Sequence, residues 1–461
     1  MMRLSAQTAA HLPANVIRPH YDRCAQASGI VHFGIGAFHR AHQAIYADDA
    51  MNRGERDWAI TGVSLRSSTV ADQLNPQNGH YLLSTRSPAG EELRLVGSVA
   101  KVLTGATDQT AILNAIAAPA THIISFTITE KGYGRATDGG LDPALCGAGS
   151  IYPLLAGGLA QRRAANLPGL TFLSCDNISG NGAQLKRLLL AFLDGRDADL
   201  ARWVEAECRF PSTLVDRIVP ATTAADIAAV ATRTGVTDLG LICTEAFTQW
   251  VIEDDFAGTR PDYAASGVQL VSDAAPWEAA KLRMLNGAHS ALAYLGLERG
   301  HAFVHQAVAD PAIRPLIEQL MLNEAAPTLP AIPGFDPHRY AVDLLARFAN
   351  SALPHSLKQV AMDGSQKIPP RWLETLSLNA AAGRECPAIE TALAAWLRHS
   401  RGDNGAVDDP LSGPLQLLWA NGGWADTITR LWAADHPMVG GTLPPTILTR
   451  LVAMENPILS A

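Results

Sequence analysis

Four side chains suited to acid–base chemistry or substrate hydrogen bonding occur together in residues 277–294, WEAAKLRMLNGAHSALAY. They are Glu278, Lys281, Asn286 and His289. The segment is rich in Ala, Leu and Met, which predicts a helix. At about 100° per residue, all four fall within one arc of about 140° on a mostly apolar face. Desolvation lowers the pKa of a lysine, so Lys281 is a candidate general base, and the neighbouring Asn and His are candidates to hold a substrate oxygen.

Each of these residues alone has a structural alternative. Lys281 could extend its ammonium group to water, and His289 could be a hydrogen-bonded core histidine. Their joint occurrence on one apolar face is what favours a functional site. The elements that would position such a site must therefore be sought along the rest of the chain.

A dinucleotide-binding unit is indicated near the N-terminus. GIVHFGIG (29–36) reads as a strand ending in glycines, and a helix is predicted to follow. Gly34 and Gly36 supply a G-x-G turn that could hold a phosphate over a helix N-terminus, but His39 occupies the third glycine position. The alternative is a tight strand-to-helix turn with no ligand.

The second predicted strand, WAITGVSL (58–65), lacks the acidic residue that usually binds the ribose diol of NAD. It is followed by Arg66 and Ser67, which could accept a 2′-phosphate, so NADP(H) stays open. The alternative is that a serine here only caps the next helix.

Polar residues follow two further predicted strands. HIISFTIT (122–129) leads into Glu130, and the strand at 170–174 leads into Asp176 and Asn177. Open α/β sheets bind ligands at the carboxyl ends of their strands, so these residues are site candidates. Ordinary turn formation is the alternative, because Asn, Asp and Gly dominate turns.

The element pattern predicts two domains. Strands alternate with helices up to about residue 275, and helix-length amphipathic segments follow, which predicts an α/β domain at 1–275 and a mainly α-helical domain at 276–461. Residues 81–103 look like antiparallel β-structure within the first domain.

Composition excludes several function classes. The net charge is −8 and no Lys/Arg cluster stands out, which argues against nucleic acid and anionic membranes as partners. We find no signal-peptide pattern and no apolar run long enough to span a bilayer. The 6 cysteines are scattered without a CxxC pair, which predicts free thiols in the cytoplasm and no zinc site.

Seven separate stretches together resemble the polyol-specific long-chain dehydrogenases, also called the mannitol dehydrogenase family. They are GIGAFHRAHQ (34–43), TEKGYG (129–134), SCDNISGNG (174–182), VDRIVPATT (215–223), EAFTQWVIEDDF (245–256), EAAKLRMLNGAHSALAY (278–294) and MDGSQKIPPRW (362–372). The resemblance implies a Rossmann-type domain, a helical C-terminal domain and hydride transfer without a metal.

The resemblance also implies catalytic roles. Lys281 would be the general acid/base, Asn177 and Asn286 would hold the oxyanion, His289 would orient the substrate and Glu278 would gate the proton.

Further binding residues follow from the same motifs. Gly34, Gly36 and Phe38 would line the cofactor turn, where Arg66 and Glu130 are further candidates; NAD(H) is favoured and NADP(H) stays open. Asp216 and Lys367 match positions associated with the substrate site.

The motif variants resemble the fructuronate reductase (mannonate oxidoreductase) branch more than mannitol 2-dehydrogenase. A uronate needs a cation for its carboxylate, and Lys367 or Arg371 could serve; a surface charge is the alternative for both. A small sugar acid or polyol is the expected partner, and the protein is expected to be a monomer or a small homo-oligomer. Mannitol 2-dehydrogenase, arabinitol 4-dehydrogenase and a catalytically inactive sugar or nucleotide sensor remain alternatives.

Overall fold

The computed structural model describes residues 2–136, 138–433 and 438–457. Clustering of contacts divides the chain into two compact units, 1–275 and 276–461. Within the described residues, no helix has both the length and the apolarity needed to cross a membrane.

Unit 1 holds the strands. In chain order they are β1 (Met2–Arg3), β2 (Ile30–Phe33), β3 (Ile60–Ser64), β4 (Tyr81–Ser87), β5 (Gly90–Val96), β6 (Val99–Thr104), β7 (Ile123–Phe126), β8 (Thr171–Ser174), β9 (Thr213–Asp216), β10 (Val236–Thr237), β11 (Ile242–Glu245), β12 (Gln249–Glu253) and β13 (Gln269–Val271).

A parallel sheet of five strands forms the centre of unit 1, in the order β6-β3-β2-β7-β8. Every residue of β2, β7 and β8 is buried, as the apolar, β-branched runs predict for a sheet covered on both faces. Numbered along the chain, this order is 3-2-1-4-5, which is the arrangement of dinucleotide-binding folds. It reverses between β2 and β7, so the carboxyl ends of these two strands border the expected ligand crevice.

The helices of unit 1 flank this sheet or connect its strands. They are α1 (Ala37–Ala41), α2 (Gln43–Asn52), α3 (Thr69–Leu74), α4 (Gln109–Ala117), α5 (Ile151–Ala164), α6 (Asn181–Leu193), α7 (Ala198–Glu207) and α8 (Ala224–Thr234).

The expected antiparallel structure at 81–103 is only partly present. β4 and β5 pair antiparallel, but β6 pairs parallel with β3 and belongs to the central sheet. Loop residues 97–98 separate β5 from β6 and allow β6 to join the other sheet. β9 and β12, which pair antiparallel, were not predicted from the sequence.

Unit 2 is mainly helical, in agreement with the sequence prediction. Its helices are α9 (Ala275–Ala280), α10 (Gly287–Glu298), α11 (Val304–Ala309), α12 (Arg314–Gln319), α13 (Pro337–Phe348), α14 (Leu357–Ala361), α15 (Gly364–Ile368), α16 (Glu374–Ala381), α17 (Pro387–Arg401), α18 (Ser412–Asn421), α19 (Trp424–Leu431) and α20 (Pro445–Val452).

Three π-helical segments interrupt these helices, at Lys281–Asn286, Leu320–Ala325 and Pro369–Leu373. The first joins α9 to α10 and contacts the other two. The predicted helix at 277–294 is therefore present, but it is not α-helical throughout.

Candidate active site

The glycine turn after β2 can accommodate a closely approaching ligand. Gly34 has a φ of +91°, and a Cβ there would lie 2.2 Å from the carbonyl oxygen of Thr127, so the backbone requires glycine. Gly36 has an ordinary φ of −78°, and a Cβ there would meet nothing closer than an oxygen at 3.8 Å. Neighbouring protein atoms therefore do not require glycine at position 36. A phosphate group lying against the turn, as in a dinucleotide site, would require it, because a side chain there would occupy the same space.

His39 replaces the third glycine by a different kind of packing. Its buried ring stacks on that of His32 in β2, with centroids 3.4 Å apart. The His32 ring also contacts Ser125 Oγ at 2.8 Å and Thr127 Oγ1 at 2.9 Å. Burial lowers the pKa of His32 to about 3 and that of His39 well below its usual range. Two neutral imidazoles therefore join the first helical turn to the strand.

Two other predicted cofactor residues are Phe38, in α1, and Arg66, just after β3. Phe38 is half-buried, and its ring lies 5.2 Å from that of His42. Arg66 follows β3 with an exposed side chain. The next acidic residue, Asp72, accepts a hydrogen bond from Ser68 at 2.7 Å, so it belongs to the start of α3.

Glu130 and Asn177 are carried by two turns that share one carboxylate. Both side chains are exposed, Glu130 after β7 and Asn177 after β8. Asp176 Oδ1 accepts a hydrogen bond from the Thr129 N–H at 2.9 Å, and its Oδ2 accepts one from the Ile128 N–H at 3.0 Å. The Asp176 carboxylate thus connects the two turns that carry these predicted residues, at the carboxyl edge of the sheet.

Asp216 lies at the end of β9 and is buried, with 5% of its surface exposed. Asn181 holds β9 beside the end of β8, because its side chain exchanges two hydrogen bonds with the backbone of Thr213 at 2.8 and 2.9 Å. Asp216 is therefore held in unit 1 at a fixed strand end.

In unit 2, Lys281 begins the π turn and Asn286 ends it, while Glu278 lies in the preceding turn of α9. All three side chains are partly exposed. An α-helical count places Lys281 and Asn286 about 140° apart. Because π-helical hydrogen bonds run from residue i to i+5, the wider turn brings these two residues closer to one face. The α-helical arc predicted from the sequence was wrong in this respect.

The π turn is held by residues of the Pro369–Leu373 segment. Arg371 Nη1 donates to the Asn286 carbonyl oxygen at 3.2 Å and to Ser290 Oγ at 2.6 Å. Trp372 Nε1 donates to the Gly287 carbonyl oxygen at 3.1 Å. These two side chains thus tie the end of the π turn and the start of α10 to the Pro369–Leu373 segment.

His289 lies in a cationic environment. Its ring packs against Phe348 at 5.4 Å and His355 at 4.9 Å, and its buried Nε2 has no hydrogen-bond partner among the described residues. Burial holds the pKa of His289 well below its usual range, and the charges of Arg371, Arg347 and Lys367 lower it further. The neutral ring can exchange a hydrogen bond with a ligand.

Lys367 lies on α15, and its ammonium group donates hydrogen bonds to two backbone carbonyl oxygens. Nζ donates to the Met362 carbonyl oxygen at 2.5 Å and, at 3.4 Å, to that of Val360. An ammonium group has three N–H donors, so one is left for a ligand. Burial and Arg371 lower the Lys367 pKa, whereas Asp363 and Asp409 raise it.

In the described part of the chain, no three or more His, Cys, Asp or Glu side chains are grouped so that they could hold a metal ion.

Sequence reasoning gave no separate role to the residues that hold the site in place. Asp176 was noted only as part of a polar strand end, and Thr129, Ser290 and Trp372 were passed over. The one available signal was an acidic residue directly after a buried strand. Nothing in the sequence pattern indicates the π turn that Trp372 supports.

Comparison with known proteins gives matches along most of the chain. Residues 28–265 match the model of the mannitol dehydrogenase Rossmann domain, and residues 273–419 match that of the mannitol dehydrogenase C-terminal domain. The chain is 39% identical to the D-mannonate oxidoreductase of Escherichia coli (strain K12), over 90% of each protein.

Two mannitol 2-dehydrogenases are also similar to this chain. That of Pyrenophora tritici-repentis is 35% identical, over 88% of this chain and 76% of the relative. The solved structure of the Pseudomonas fluorescens enzyme, a ternary complex with NAD and D-mannitol, has a TM-score of 0.86 and 34% identity, over 98% of this chain and 95% of that one.

Proposed function

The chain belongs to the mannitol dehydrogenase family, as its motifs predicted, and we propose that it reduces the ketone of a sugar acid such as D-fructuronate to the secondary alcohol of D-mannonate. NADH supplies the hydride that adds to the ketone carbon. In our proposal Lys281 gives a proton to the ketone oxygen, and it takes that proton back when the reaction runs towards oxidation.

The remaining residues have supporting roles in this proposal. The amides of Asn177 and Asn286 donate hydrogen bonds to the oxygen as it gains negative charge, and each such donor contributes about 2.7–4 kcal/mol to the transition state. His289 orients the substrate through its unpartnered Nε2, and Glu278 relays the proton between Lys281 and water.

The choice of a sugar acid rests on the charges around His289. Arg371, Arg347 and Lys367 all act on this ring as positive charges. One donor of the Lys367 ammonium group is not used by the backbone. A carboxylate near these residues would be stabilised by charge-assisted hydrogen bonding, whereas a hydroxyl group would gain less.

A neutral ketose is the second candidate. The mannitol 2-dehydrogenase relatives are nearly as similar to this chain as the D-mannonate oxidoreductase. In addition, Asp363 and Asp409 lie close enough to Lys367 to raise its pKa, and their charges offset part of the positive field. Fructose or xylulose would be the substrate in this case, with mannitol or arabinitol as the corresponding alcohol.

For the cofactor we propose NAD(H), which the Gly34–Gly36 turn fits. The exposed Arg66 keeps NADP(H) open, because a guanidinium group suits a 2′-phosphate. If Arg66 binds that 2′-phosphate, replacement Arg66→Asp should lower the rate with NADPH more than the rate with NADH. Equal rates before and after the replacement would show that it does not.

The proposal is tested by initial rates of the purified protein with fructuronate, tagaturonate, fructose and xylulose, each with NADH and with NADPH. We expect the highest kcat/KM with a uronate and NADH. A highest value with a neutral ketose would establish the second candidate. Binding of NADH without turnover of any of the four would instead indicate a catalytically inactive sensor.

A further inference from the structure

Thr129 has a backbone conformation that is unusual for its residue type. Its φ is +63° and its ψ is 165°, a region occupied almost only by glycine. The branched Cβ of threonine makes this conformation more strained than it would be for most residues. Such a residue persists only where neighbouring groups hold it, and it often lies at a functional site.

The carboxylate of Asp176 holds this residue. Its two oxygens accept the successive N–H groups of Ile128 and Thr129, at 3.0 and 2.9 Å. The hydroxyl group of Tyr133 donates to the same carboxylate at 2.8 Å. One side chain from the turn after β8 thus fixes the two N–H groups that precede the strained φ. On the other side of it, the Thr129 carbonyl oxygen accepts a hydrogen bond from the Gly132 N–H at 2.9 Å.

Asp176 is itself firmly placed. Its carbonyl oxygen accepts a hydrogen bond from Asn181 Nδ2 at 3.1 Å. The buried Tyr133 hydroxyl lies 2.6 Å from Ser174 Oγ, and the Tyr133 carbonyl oxygen accepts from Tyr152 Oη at 2.7 Å. Tyr133, one partner of this carboxylate, is therefore itself held by Ser174 of β8 and by Tyr152 of α5.

The held segment borders the crevice where the strand order reverses. Thr127, two residues before Thr129, donates from Oγ1 to the Gly34 carbonyl oxygen at 2.7 Å. Glu130 follows Thr129 directly, and Asn177 follows Asp176 directly. The Asp176 carboxylate consequently links the turn bearing Glu130 to the turn bearing Asn177, and Thr127 links the same segment to the glycine turn.

We propose that Asp176 is a positioning residue, which holds Thr129 in a glycine-like conformation and so fixes the turns that carry Glu130 and Asn177 beside the cofactor. This inference rests on the proposed function for what those two residues do. It adds that the hydrogen bonds of one partly buried carboxylate offset the strain of the Thr129 backbone.

The test is a double-mutant cycle of Asp176→Asn and Thr129→Gly in the full-length protein. An asparagine amide accepts through only one atom, so Asp176→Asn cannot hold both N–H groups. We expect it to raise the Kd for NADH, measured by fluorescence titration, about 5- to 100-fold. Glycine adopts a positive φ without strain, so in the Thr129→Gly background the same replacement should change Kd less than about threefold.

Asp238→Asn is the matched control. Asp238 is buried in unit 1 and accepts from the N–H groups of Leu82 and Gly240 and from Gln77 Nε2, at 2.6, 2.7 and 2.7 Å. It has no contact with Thr129. Its replacement should therefore have the same effect on Kd and on the thermal midpoint in both backgrounds.

The outcomes separate the alternatives. If Asp176→Asn alone fails to fold and the double variant folds and binds NADH, the proposal is supported. An equal effect of Asp176→Asn in both backgrounds, or unfolding of both variants, would overturn it. Because NADH binding and the thermal midpoint need no substrate, absence of uronate turnover would refute the proposed function and leave this test intact.

Discussion

The proposed preference for a sugar acid over a neutral ketose depends on two side chains, Lys367 and His289. Lys367 retains one donor after binding two carbonyl oxygens, and His289 retains an unpartnered nitrogen. Both groups are partly desolvated, which strengthens their electrostatic interaction with an ion. The same residues would contribute much less to binding a neutral sugar.

Replacement Lys367→Met should therefore reduce selectivity rather than activity in general. A hydrogen bond to a charged group contributes about 1.5–3 kcal/mol, so the ratio of kcat/KM for fructuronate over fructose should fall about 10- to 100-fold. Steady-state rates with both substrates measure this ratio. Lys358→Met, an exposed lysine of the neighbouring α14, is the control and should leave it unchanged. If the ratio of kcat/KM for fructuronate over fructose is unchanged in Lys367→Met, residues other than Lys367 determine the selectivity.

A second prediction concerns the buried pair His32 and His39. In the folded state both pKa values lie below the usual histidine value of about 6.5. As the pH falls, these two histidines therefore take up protons in the unfolded chain at a higher pH than in the folded protein. Their contribution to stability is complete above about pH 6.5 and is lost as the pH falls below that value, and for His32 the loss continues towards pH 3.

His39→Phe should retain the stacked ring and remove one titrating group. The slope of the unfolding free energy between about pH 6.5 and pH 4.5 should fall by about one proton, as measured by denaturant titration. His11→Gln, at an exposed position, should leave the slope unchanged. An unchanged slope in His39→Phe would mean that His39 takes up its proton equally in the folded and the unfolded state, which would contradict this prediction.

Residue types predicted part of this site and could not predict the rest. Lys281, Asn286 and His289 were identifiable because polar side chains on an apolar helix face are unusual. Thr129 was not identifiable, because threonine is common in strands and its positive φ depends on a carboxylate 47 positions away. Contacts over such separations leave no local pattern in the sequence.

Among the elements, the π turn Lys281–Asn286 most directly shapes the proposed catalytic residues. It places Lys281, the general acid/base of our proposal, and the amide of Asn286 at the two ends of one widened turn. Richness in Ala, Leu and Met predicted the helix correctly. Placing its polar residues on one face assumed 3.6 residues per turn throughout, and such a count cannot detect a turn with i to i+5 bonds. The supporting donors come from a segment 85 positions further along the chain.

Arg371→Lys tests the support of this turn. Burial lowers the pKa of Arg371 to about 10, so the group is charged at neutral pH, and one nitrogen binds both Asn286 and Ser290. Lysine cannot reproduce the fork geometry of the guanidinium group. We expect kcat to fall at least about tenfold with fructuronate and with fructose alike, with little change in the Kd for NADH.

The control and the competing result for this prediction are both measurable. Arg314→Lys, at an exposed residue of α12, should leave kcat unchanged. A rise in KM for fructuronate alone would instead assign Arg371 to the substrate carboxylate, as the sequence suggested. The two roles are therefore distinguished by whether a neutral substrate is affected.

For the molecule as a whole, the two units divide the chain close to where the two family models meet. Unit 1 ends at residue 275, and the models cover 28–265 and 273–419. Alternation of strand and helix signals was enough to predict both fold classes. It could not predict that β6 joins the central sheet, because pairing partners depend on the path of the chain in space.

We expect a metal-independent reaction for the whole enzyme, because in our proposal Lys281 and the amides of Asn177 and Asn286 take the roles that zinc has in other dehydrogenases. Dialysis against EDTA should leave kcat/KM within about twofold of its starting value. Loss of activity that returns on addition of zinc would contradict this mechanism.

The most direct test of the account is the rate of Lys281→Ala measured beside its affinity for NADH. We predict that kcat/KM with the best ketone substrate falls about 10²–10⁴-fold, while the Kd for NADH changes less than about threefold. Lys101→Ala, at an exposed lysine of β6, should retain the full rate. If Lys281→Ala kept more than about a tenth of the rate, a loss of only about 1.4 kcal/mol, Lys281 would not be the general acid/base.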